Sequence, residues 1–182
     1  METVKEKQKK SIGIFKNSLG ITNPMAAPRV LKVVVSVGTG KSSRKDRQKN
    51  DFVIGRLAKI TGQKPALRGA KKSIAAFKLR EKEPIGVMVT LRGKRMYDFL
   101  DRLLNIAIPR MRDFRGFERK SVDAMGNLTL GIREHNIFPE TSGEELKDVF
   151  GLAVTIVTSA KTREEAIRFF EAIGVKFKQI VS

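Results

Sequence analysis

The sequence lacks several residue types on which enzyme and metal sites depend. It has no cysteine, no tryptophan, and only one histidine and one tyrosine. Without cysteine there can be no disulfide, thiolate metal site or cysteine nucleophile, and the protein suits a reducing compartment. A single histidine excludes every site that needs two imidazoles. Most metalloenzyme and catalytic-triad chemistry is thereby excluded, and we expect no metal site, no cofactor and no small-molecule substrate.

Long apolar runs and acidic residues are also scarce. No apolar run approaches the roughly 18 residues of a membrane span, and residues 1–7 lack a secretory-signal core, so we expect a cytoplasmic protein. Asp and Glu number 19 against 37 Lys and Arg, a formal net charge of +18, while 41% hydrophobic residues can form a core. Such a surplus usually has a polyanionic partner. Nucleic acid is the leading hypothesis, and an anionic membrane surface is the alternative.

Hydrophobic periodicity predicts alternating strands and amphipathic helices. Apolar–polar alternation predicts strands at residues 30–37, 85–92, 128–133 and 152–158, with shorter ones near 65–68 and at 121–124 before a Gly126-Asn127 turn. Helical spacing predicts helices over residues 3–19, 42–61, 96–107 and 162–173. We therefore expect an α+β fold: one mainly antiparallel sheet with helices packed on one face. We treat residues 1–182 as one domain, with an N-terminal helix in 1–22 and two halves, 23–82 and 83–182.

The two faces of the predicted strands differ in chemistry. One face is aliphatic throughout, whereas the other carries small residues and a polar set. That set is Ser36, Thr90, Arg92, Thr129, Arg133 and Thr155. A helix layer over the first face leaves the second open to RNA, although an ordinary solvated sheet face explains the same pattern.

Positive charge is concentrated in one segment, residues 64–82, called the basic loop below. It holds seven basic residues and one acid, so a third of the net charge lies there. Ile74 to Phe77 form its apolar centre, and its Gly and Ser permit a mobile tip. Such one-sided charge favours contact with phosphates over a merely solvated loop. The basic residues are Lys64, Arg68, Lys71, Lys72, Lys78, Arg80 and Lys82.

A second basic concentration lies in residues 109–117. Arginine makes bidentate phosphate contacts, and the interleaved Phe114 and Phe117 are expected to pack inward. Lys94 and Arg95 open a helix whose dipole prefers acids at that end, which indicates a bound anion. The arginines of the 109–117 segment are Arg110, Arg112 and Arg115.

Two patterns suggest catalysis only weakly. Residues 35–42 (VSVGTGKS), with Lys41, look like a nucleotide-binding loop, but the first glycine of that motif is replaced by Val35. We interpret the segment as a tight turn whose backbone can hold an RNA phosphate.

His135 beside Glu134 has no second catalytic group near it in the sequence, so we expect a surface or interface residue. We predict that the protein is not an enzyme.

Six sequence blocks in a fixed order resemble one family. They are residues 61–65 (TGQKP), 71–81 (KKSIAAFKLRE), 84–86 (PIG), 89–93 (VTLRG), 109–116 (PRMRDFRG) and 137–140 (IFPE). The chain is similar to the bacterial large-subunit ribosomal protein five family, the 5S ribosomal RNA carrier of the central protuberance. The sequence departs from that family at Ser36, where asparagine is usual.

The resemblance implies partners for each of these surfaces. The open sheet face binds 5S rRNA; the matching residues are Ser36, Gln63 and Thr90, and Lys64 and Arg92 are adjacent candidates. The basic loop, with Arg68, Lys71, Lys72, Ser73, Lys78 and Arg80, reaches the elbow of the P-site tRNA. An acidic stretch, residues 136–148, meets a basic protein of the small-subunit head through Glu140, Glu144, Glu145 and Asp148. The resemblance also implies attachment to large-subunit rRNA. From their charge and position, Arg29, Lys41, Lys94, Arg95, Arg110, Arg112 and Arg115 are additional rRNA candidates.

Overall fold

The computed structural model describes residues 2–19, 23–40, 48–112, 114–141 and 149–178. Its helices are α1 (Val4–Leu19), α2 (Gln48–Thr61), α3 (Gly93–Arg102) and α4 (Arg163–Ala172). Its strands are β1 (Val30–Gly38), β2 (Ala66–Gly69), β3 (Pro84–Leu91), β4 (Leu128–Ile132) and β5 (Leu152–Thr158).

The five strands form one sheet in the order β2-β3-β1-β5-β4. β2 runs antiparallel to β3, with Leu67 opposite Val87. Buried and partly exposed residues alternate along β1, β3, β4 and β5, as expected for a sheet covered on one face. The predicted α+β fold with one antiparallel sheet is confirmed.

The chain divides into two compact units. The first comprises Met1–Val33, Arg92–Leu130 and Thr155–Ser182, and its α1 packs against α3 and α4. The rings of Phe15 and Phe169 meet there at 6.4 Å between centroids, and the Val4 N–H donates to Asp101 Oδ1 at 2.6 Å. Burial of apolar side chains such as these is the main force holding the unit together.

The second unit comprises Val34–Leu91 and Gly131–Val154. α2 packs against β3 and buries Val53, Leu57 and Ile60, the i, i+4, i+7 stripe expected from the sequence. The helix ends at Thr61, and Gly62 follows with a φ of 66°, the left-handed conformation favoured directly after a helix C-terminus.

Local sequence signals predicted the elements unevenly. The prediction of a strand at residues 121–124 is wrong. Of these residues only Val122 pairs, in a single antiparallel bridge with Leu128. The turn between them is closed by a hydrogen bond from the Asn127 N–H to the Asp123 side chain. The third helix extends past its regular part through a wider turn, Leu103–Ala107, and a short 3-10 turn, Ile108–Arg110. The 3-10 turn contains Pro109, and the chain leaves the helical conformation at Met111. Residues 42–47 of the predicted second helix lie outside the described residues.

Candidate nucleic-acid interface

The side chain of Gln63 lies beside Thr90. The Thr61 hydroxyl donates to the Leu57 carbonyl at 2.7 Å and lies 3.1 Å from the Gln63 carbonyl, which fixes the chain as it leaves α2. Gln63 Nε2 then donates to the Thr90 carbonyl at 3.4 Å. The structure therefore brings together two residues that lie 27 positions apart in the sequence.

Ser36 and Thr90 occupy the partly exposed face of neighbouring strands. Ser36 alternates with the buried Val35 and Val37 on β1, and Thr90 lies between the buried Val89 and Leu91 on β3. Lys64 is exposed directly after Gln63, and Arg92 is exposed directly after β3. Hydroxyl, amide and cationic groups are thus available to solvent, whereas the opposite face is aliphatic.

Two threonines occupy the same kind of position on β4 and β5. Thr129 and Thr155 place their hydroxyl oxygens 3.1 Å apart. Arg133, which the sequence placed on this face, follows the end of β4 and is exposed. The polar character predicted for the open face therefore continues in these strands.

The basic loop forms a hairpin with backbone and side-chain hydrogen bonds along its length. Ala70 anchors its base, donating its N–H to the Glu83 carbonyl and accepting from the Lys82 N–H, both at 2.9 Å. Ser73 Oγ accepts from the Glu81 N–H at 2.9 Å, and a carboxylate oxygen of Glu83 accepts from the Arg80 N–H at 3.0 Å. All seven basic residues of the loop are exposed: Lys64, Arg68, Lys71, Lys72, Lys78, Arg80 and Lys82.

Residues 109–117, called the arginine segment below, are tied at Phe117 to residues 176–178. Phe117 donates its N–H to the Lys176 carbonyl at 2.9 Å and accepts from the Lys178 N–H at 2.8 Å. Phe114 and Phe117 are half-buried and meet edge to face at 4.9 Å. The segment is thus tied to residues 176–178 at Phe117, and Arg110, Arg112 and Arg115 are exposed.

The remaining cations lie at separate places on the chain. Arg29 is exposed, and its backbone N–H donates to the Ser159 hydroxyl at 3.0 Å. Lys94 and Arg95 are exposed in the first turn of α3, which has no acidic residue and no side-chain cap. Lys41 lies outside the described residues.

His135 is buried, so the prediction of a surface or interface residue is wrong. Its ring stacks on Phe150 at 4.1 Å between centroids, and its Nδ1 accepts from the Phe150 N–H at 3.4 Å. Burial, with a smaller contribution from the positive charge of Arg56, lowers the pKa of His135. A neutral ring in an aromatic stack is structural, and no local sequence signal indicated that Phe150 would cover it.

The acidic stretch is described only in part. Glu140 is half-buried in the short 3-10 turn Pro139–Thr141. The Thr141 hydroxyl donates to the His135 carbonyl at 2.9 Å, which ties this turn to the buried histidine. Glu144, Glu145 and Asp148 lie outside the described residues.

The glycine turn after β1 gives little support to a nucleotide-hydrolysing site. The Thr39 N–H donates to the Ile85 carbonyl at 2.9 Å, so it is not available to a phosphate. Within the described ranges, no group of three or more His, Asp or Glu side chains could hold a metal ion. In the same part of the chain, no helix is long and apolar enough to cross a membrane.

Comparison with known proteins identifies the family. Residues 23–80 match the family model for ribosomal protein L5, and residues 84–177 match the model for the C-terminus of the same ribosomal family. The chain belongs to the ribosomal protein L5 family. Members of the L5 family are structural proteins of the ribosome, so the predictions of this family and of a non-enzymatic role are confirmed.

Curated L5 relatives match over most of both chains. The large ribosomal subunit protein uL5 of Mesoplasma florum is 49% identical over 90% of this chain and 90% of its own length. The uL5 protein of Halothermothrix orenii is 52% identical over 86% of this chain and 87% of its own length. That of Rubrobacter xylanophilus is 46% identical over 98% of this chain and 99% of its own length. The match therefore spans nearly the whole chain.

Proposed function

We propose that the protein binds 5S rRNA through the open sheet face and joins it to the large-subunit rRNA in the central protuberance. The observation that carries the proposal is the contact between Gln63 and Thr90 on a partly exposed face, with Lys64 exposed next to it. Amide and hydroxyl groups pair with 2′-OH and phosphate oxygens, and lysine releases counterions from the RNA backbone. The residues assigned to this face include no aromatic side chain, so recognition depends on the shape of a folded RNA.

The broader role follows from the family. As an L5-family member, the protein is a structural constituent of the large ribosomal subunit and binds ribosomal RNA. The ribosomes of its bacterial relatives are cytoplasmic, as predicted from the sequence. The 5S assignment refines this role by naming one RNA and one surface.

The exposed arginines of the 109–117 segment are the best placed groups for contact with large-subunit rRNA. The segment is tied at Phe117 by hydrogen bonds to Lys176 and Lys178, which limits the backbone freedom lost there on binding. Guanidinium groups suit phosphate because they make two parallel hydrogen bonds. Arg29, Lys94, Arg95 and Lys41 extend this second RNA contact.

The basic loop is proposed to contact the elbow of the P-site tRNA. All seven of its cations are exposed, and backbone hydrogen bonds within the hairpin define the conformation in which they are presented. A fixed cationic hairpin suits an RNA that must arrive and leave, because the loop itself loses little entropy on each encounter.

The acidic stretch is proposed to meet a basic small-subunit head protein through Glu140, Glu144, Glu145 and Asp148. It holds four acids and one base in residues 139–148, the reverse of the overall charge. Such a segment is repelled by RNA phosphates and attracted by a cationic protein surface.

Ultraviolet crosslinking in assembled large subunits, followed by mass spectrometry of the crosslinked peptides, tests the RNA assignments together. We expect 5S rRNA on peptides that contain Gln63, Lys64 or Thr90, and large-subunit rRNA on peptides that contain Arg110 to Arg115. Crosslinks of 5S rRNA confined to the arginine segment, with none near Gln63 and Thr90, would contradict the proposal. Liposome flotation, with no binding expected, separates it from the membrane-surface alternative.

A further inference from the structure

The tip of the basic loop, residues 74–79, is a built turn that carries apolar side chains. Ile74 and Leu79 exchange backbone hydrogen bonds of 3.0 and 3.1 Å around the 3-10 turn Ala75–Phe77. Lys78 closes the turn in the left-handed conformation, with φ 47°, and donates its N–H to the Ala75 carbonyl at 2.9 Å. A non-glycine residue held in this conformation is strained, and such strain is concentrated at functional sites.

This turn places Phe77 in solvent. Its side chain is 64% exposed, and that of Ile74 is 43% exposed. All eleven phenylalanines lie within the described residues, and each of the other ten is buried or half-buried. An exposed ring on an ordered turn gives up the stabilisation that burial brings to phenylalanine elsewhere in the chain. A partner that covers the ring would restore that stabilisation.

The charges around the tip define the chemistry of that partner. Lys71, Lys72, Lys78 and Arg80 are all exposed, so an occupant of the tip must be anionic. It must also offer a flat apolar surface about the size of one ring. An RNA whose base is exposed beside its phosphates meets both requirements, and base–aromatic stacking tolerates any base. A lipid surface is the weaker match, because it needs a broad apolar face rather than one ring.

We propose that Phe77 stacks on an exposed base at the elbow of the P-site tRNA while the neighbouring lysines hold its phosphates. This inference rests on the proposed contact between the basic loop and tRNA and adds to it an uncharged anchor. Charge alone gives an attraction that added salt removes. A stacked ring adds a contact that salt does not screen, and it fixes the position of the tRNA on the loop.

The test compares three variants in ribosomes assembled with each full-length protein: Phe77→Ala, Phe77→Tyr and Lys72→Ala. The measurement is the dissociation rate of deacylated tRNA from the P site over a range of monovalent salt at constant Mg²⁺. We expect Phe77→Ala to raise the rate roughly five- to 150-fold at every salt concentration, because a stacked base is lost. Phe77→Tyr keeps the ring and stays within about twofold of the wild type. Lys72→Ala raises the rate because one phosphate contact is lost, and it reduces the slope of log affinity against log salt by about one.

A second measurement locates the base. Transcripts of the tRNA, each lacking one base in the loops that form the elbow, are tested with wild-type and Phe77→Ala ribosomes. We expect one position at which the missing base raises the dissociation rate and Phe77→Ala has no further effect, since the two changes remove the same contact. At the other positions the Phe77→Ala effect persists.

Failure of the stacking contact and failure of the loop contact give different results. If Phe77→Ala matches the wild type while Lys72→Ala accelerates release, the loop contacts tRNA through charge alone and the stacking proposal is wrong. If neither variant changes release, the loop does not contact tRNA and both proposals fail. If Phe77→Ala reduces binding to anionic phosphatidylglycerol vesicles and leaves tRNA release unchanged, the tip is a lipid contact instead. Phe77 is exposed, so unchanged thermal unfolding is expected for its variants.

Discussion

At the scale of single residues, one residue type takes unrelated roles according to its surroundings. Phe150 is a structural partner, stacked on His135, whereas Phe77 is exposed on the basic loop. The local sequence around each ring does not distinguish these roles. The fold decides which ring is covered, and therefore which one can meet a partner.

Protonation of His135 should destabilise the fold. Its pKa is lowered from an ordinary value of 6.5 by burial and by Arg56. The unfolded chain therefore binds this proton at a higher pH than the folded chain does. The free energy of unfolding should be constant above about pH 7 and should fall as the pH drops through 6.5, until the folded form is also protonated.

Denaturant unfolding between about pH 5 and 7.5 measures this effect. His135→Phe keeps a ring against Phe150 but cannot titrate, so it should lack the fall in stability that begins near pH 6.5. Because the chain has a single histidine, no other imidazole contributes. Identical pH profiles for the two proteins would show that His135 is not the titrating group.

Lys64 should contribute to RNA affinity mainly through charge. It is exposed beside Gln63, on the surface assigned to 5S rRNA. Lys64→Ala should weaken 5S rRNA binding and reduce the slope of log affinity against log salt by about one, as expected for one lost phosphate contact. Lys161→Ala removes an exposed lysine outside the assigned surfaces and should change neither quantity. Equal effects of the two variants would mean that only the net charge matters.

At the scale of elements, the helix and strand boundaries that the sequence predicted correctly are those at which a local signal agrees with the tertiary structure. The cap of α4 was expected from the spacing of Thr162 and Glu165, and the Thr162 hydroxyl does accept from the Glu165 N–H at 3.3 Å. β5 begins and ends where alternation placed it. The predicted strand at 121–124 failed because its alternation is short and only Val122 finds a pairing partner. Contacts between distant segments, such as Gln63 with Thr90, have no local signal.

Two glycines in different elements should respond to alanine with opposite signs. Gly116 has a φ of 100°, and an added Cβ would lie 2.8 Å from the backbone of Phe177 and Lys178. Gly116→Ala should lower the free energy of unfolding by roughly 2 kcal/mol or more, since the residue is both strained and obstructed. Gly13 lies within α1, and nothing approaches its Cβ position within 4 Å.

Gly13→Ala should raise the free energy of unfolding by about 0.5–1 kcal/mol, because alanine favours a helix interior over glycine. Thermal and denaturant unfolding of both variants checks the pair. A stable Gly116→Ala protein would mean that the arginine segment is not held by the close approach to Phe177 and Lys178.

At the scale of the whole molecule, the excess positive charge is distributed over several separate surfaces. A net charge of +18 indicates a polyanion and nothing more specific. In the structure, exposed cations lie on the arginine segment and on the basic loop, whose first cation, Lys64, follows Gln63, and Arg92 is exposed directly after β3. The charge distribution was readable from the sequence. The hydrogen-bonded hairpin, the exposed Phe77 and the buried His135 could be found only from the structure. Each depends on which other parts of the chain pack against it.

The central claim is that the open sheet face binds 5S rRNA, and Thr90→Glu tests it most directly. The variant places a carboxylate on the face that is proposed to meet phosphates, while the buried side of β3 is unchanged. Met125→Glu adds the same charge at an exposed position in the turn before β4, outside the proposed RNA surfaces. Both proteins should match the wild type in thermal unfolding.

The decisive measurement is the dissociation constant for 5S rRNA of the three proteins at one salt concentration. We predict that Thr90→Glu weakens binding about tenfold or more, since a contact is lost and a repulsive charge is added. Met125→Glu should stay within about twofold of the wild type. Equal affinities for Thr90→Glu and the wild type, with both proteins folded, would contradict the assignment of this face to 5S rRNA.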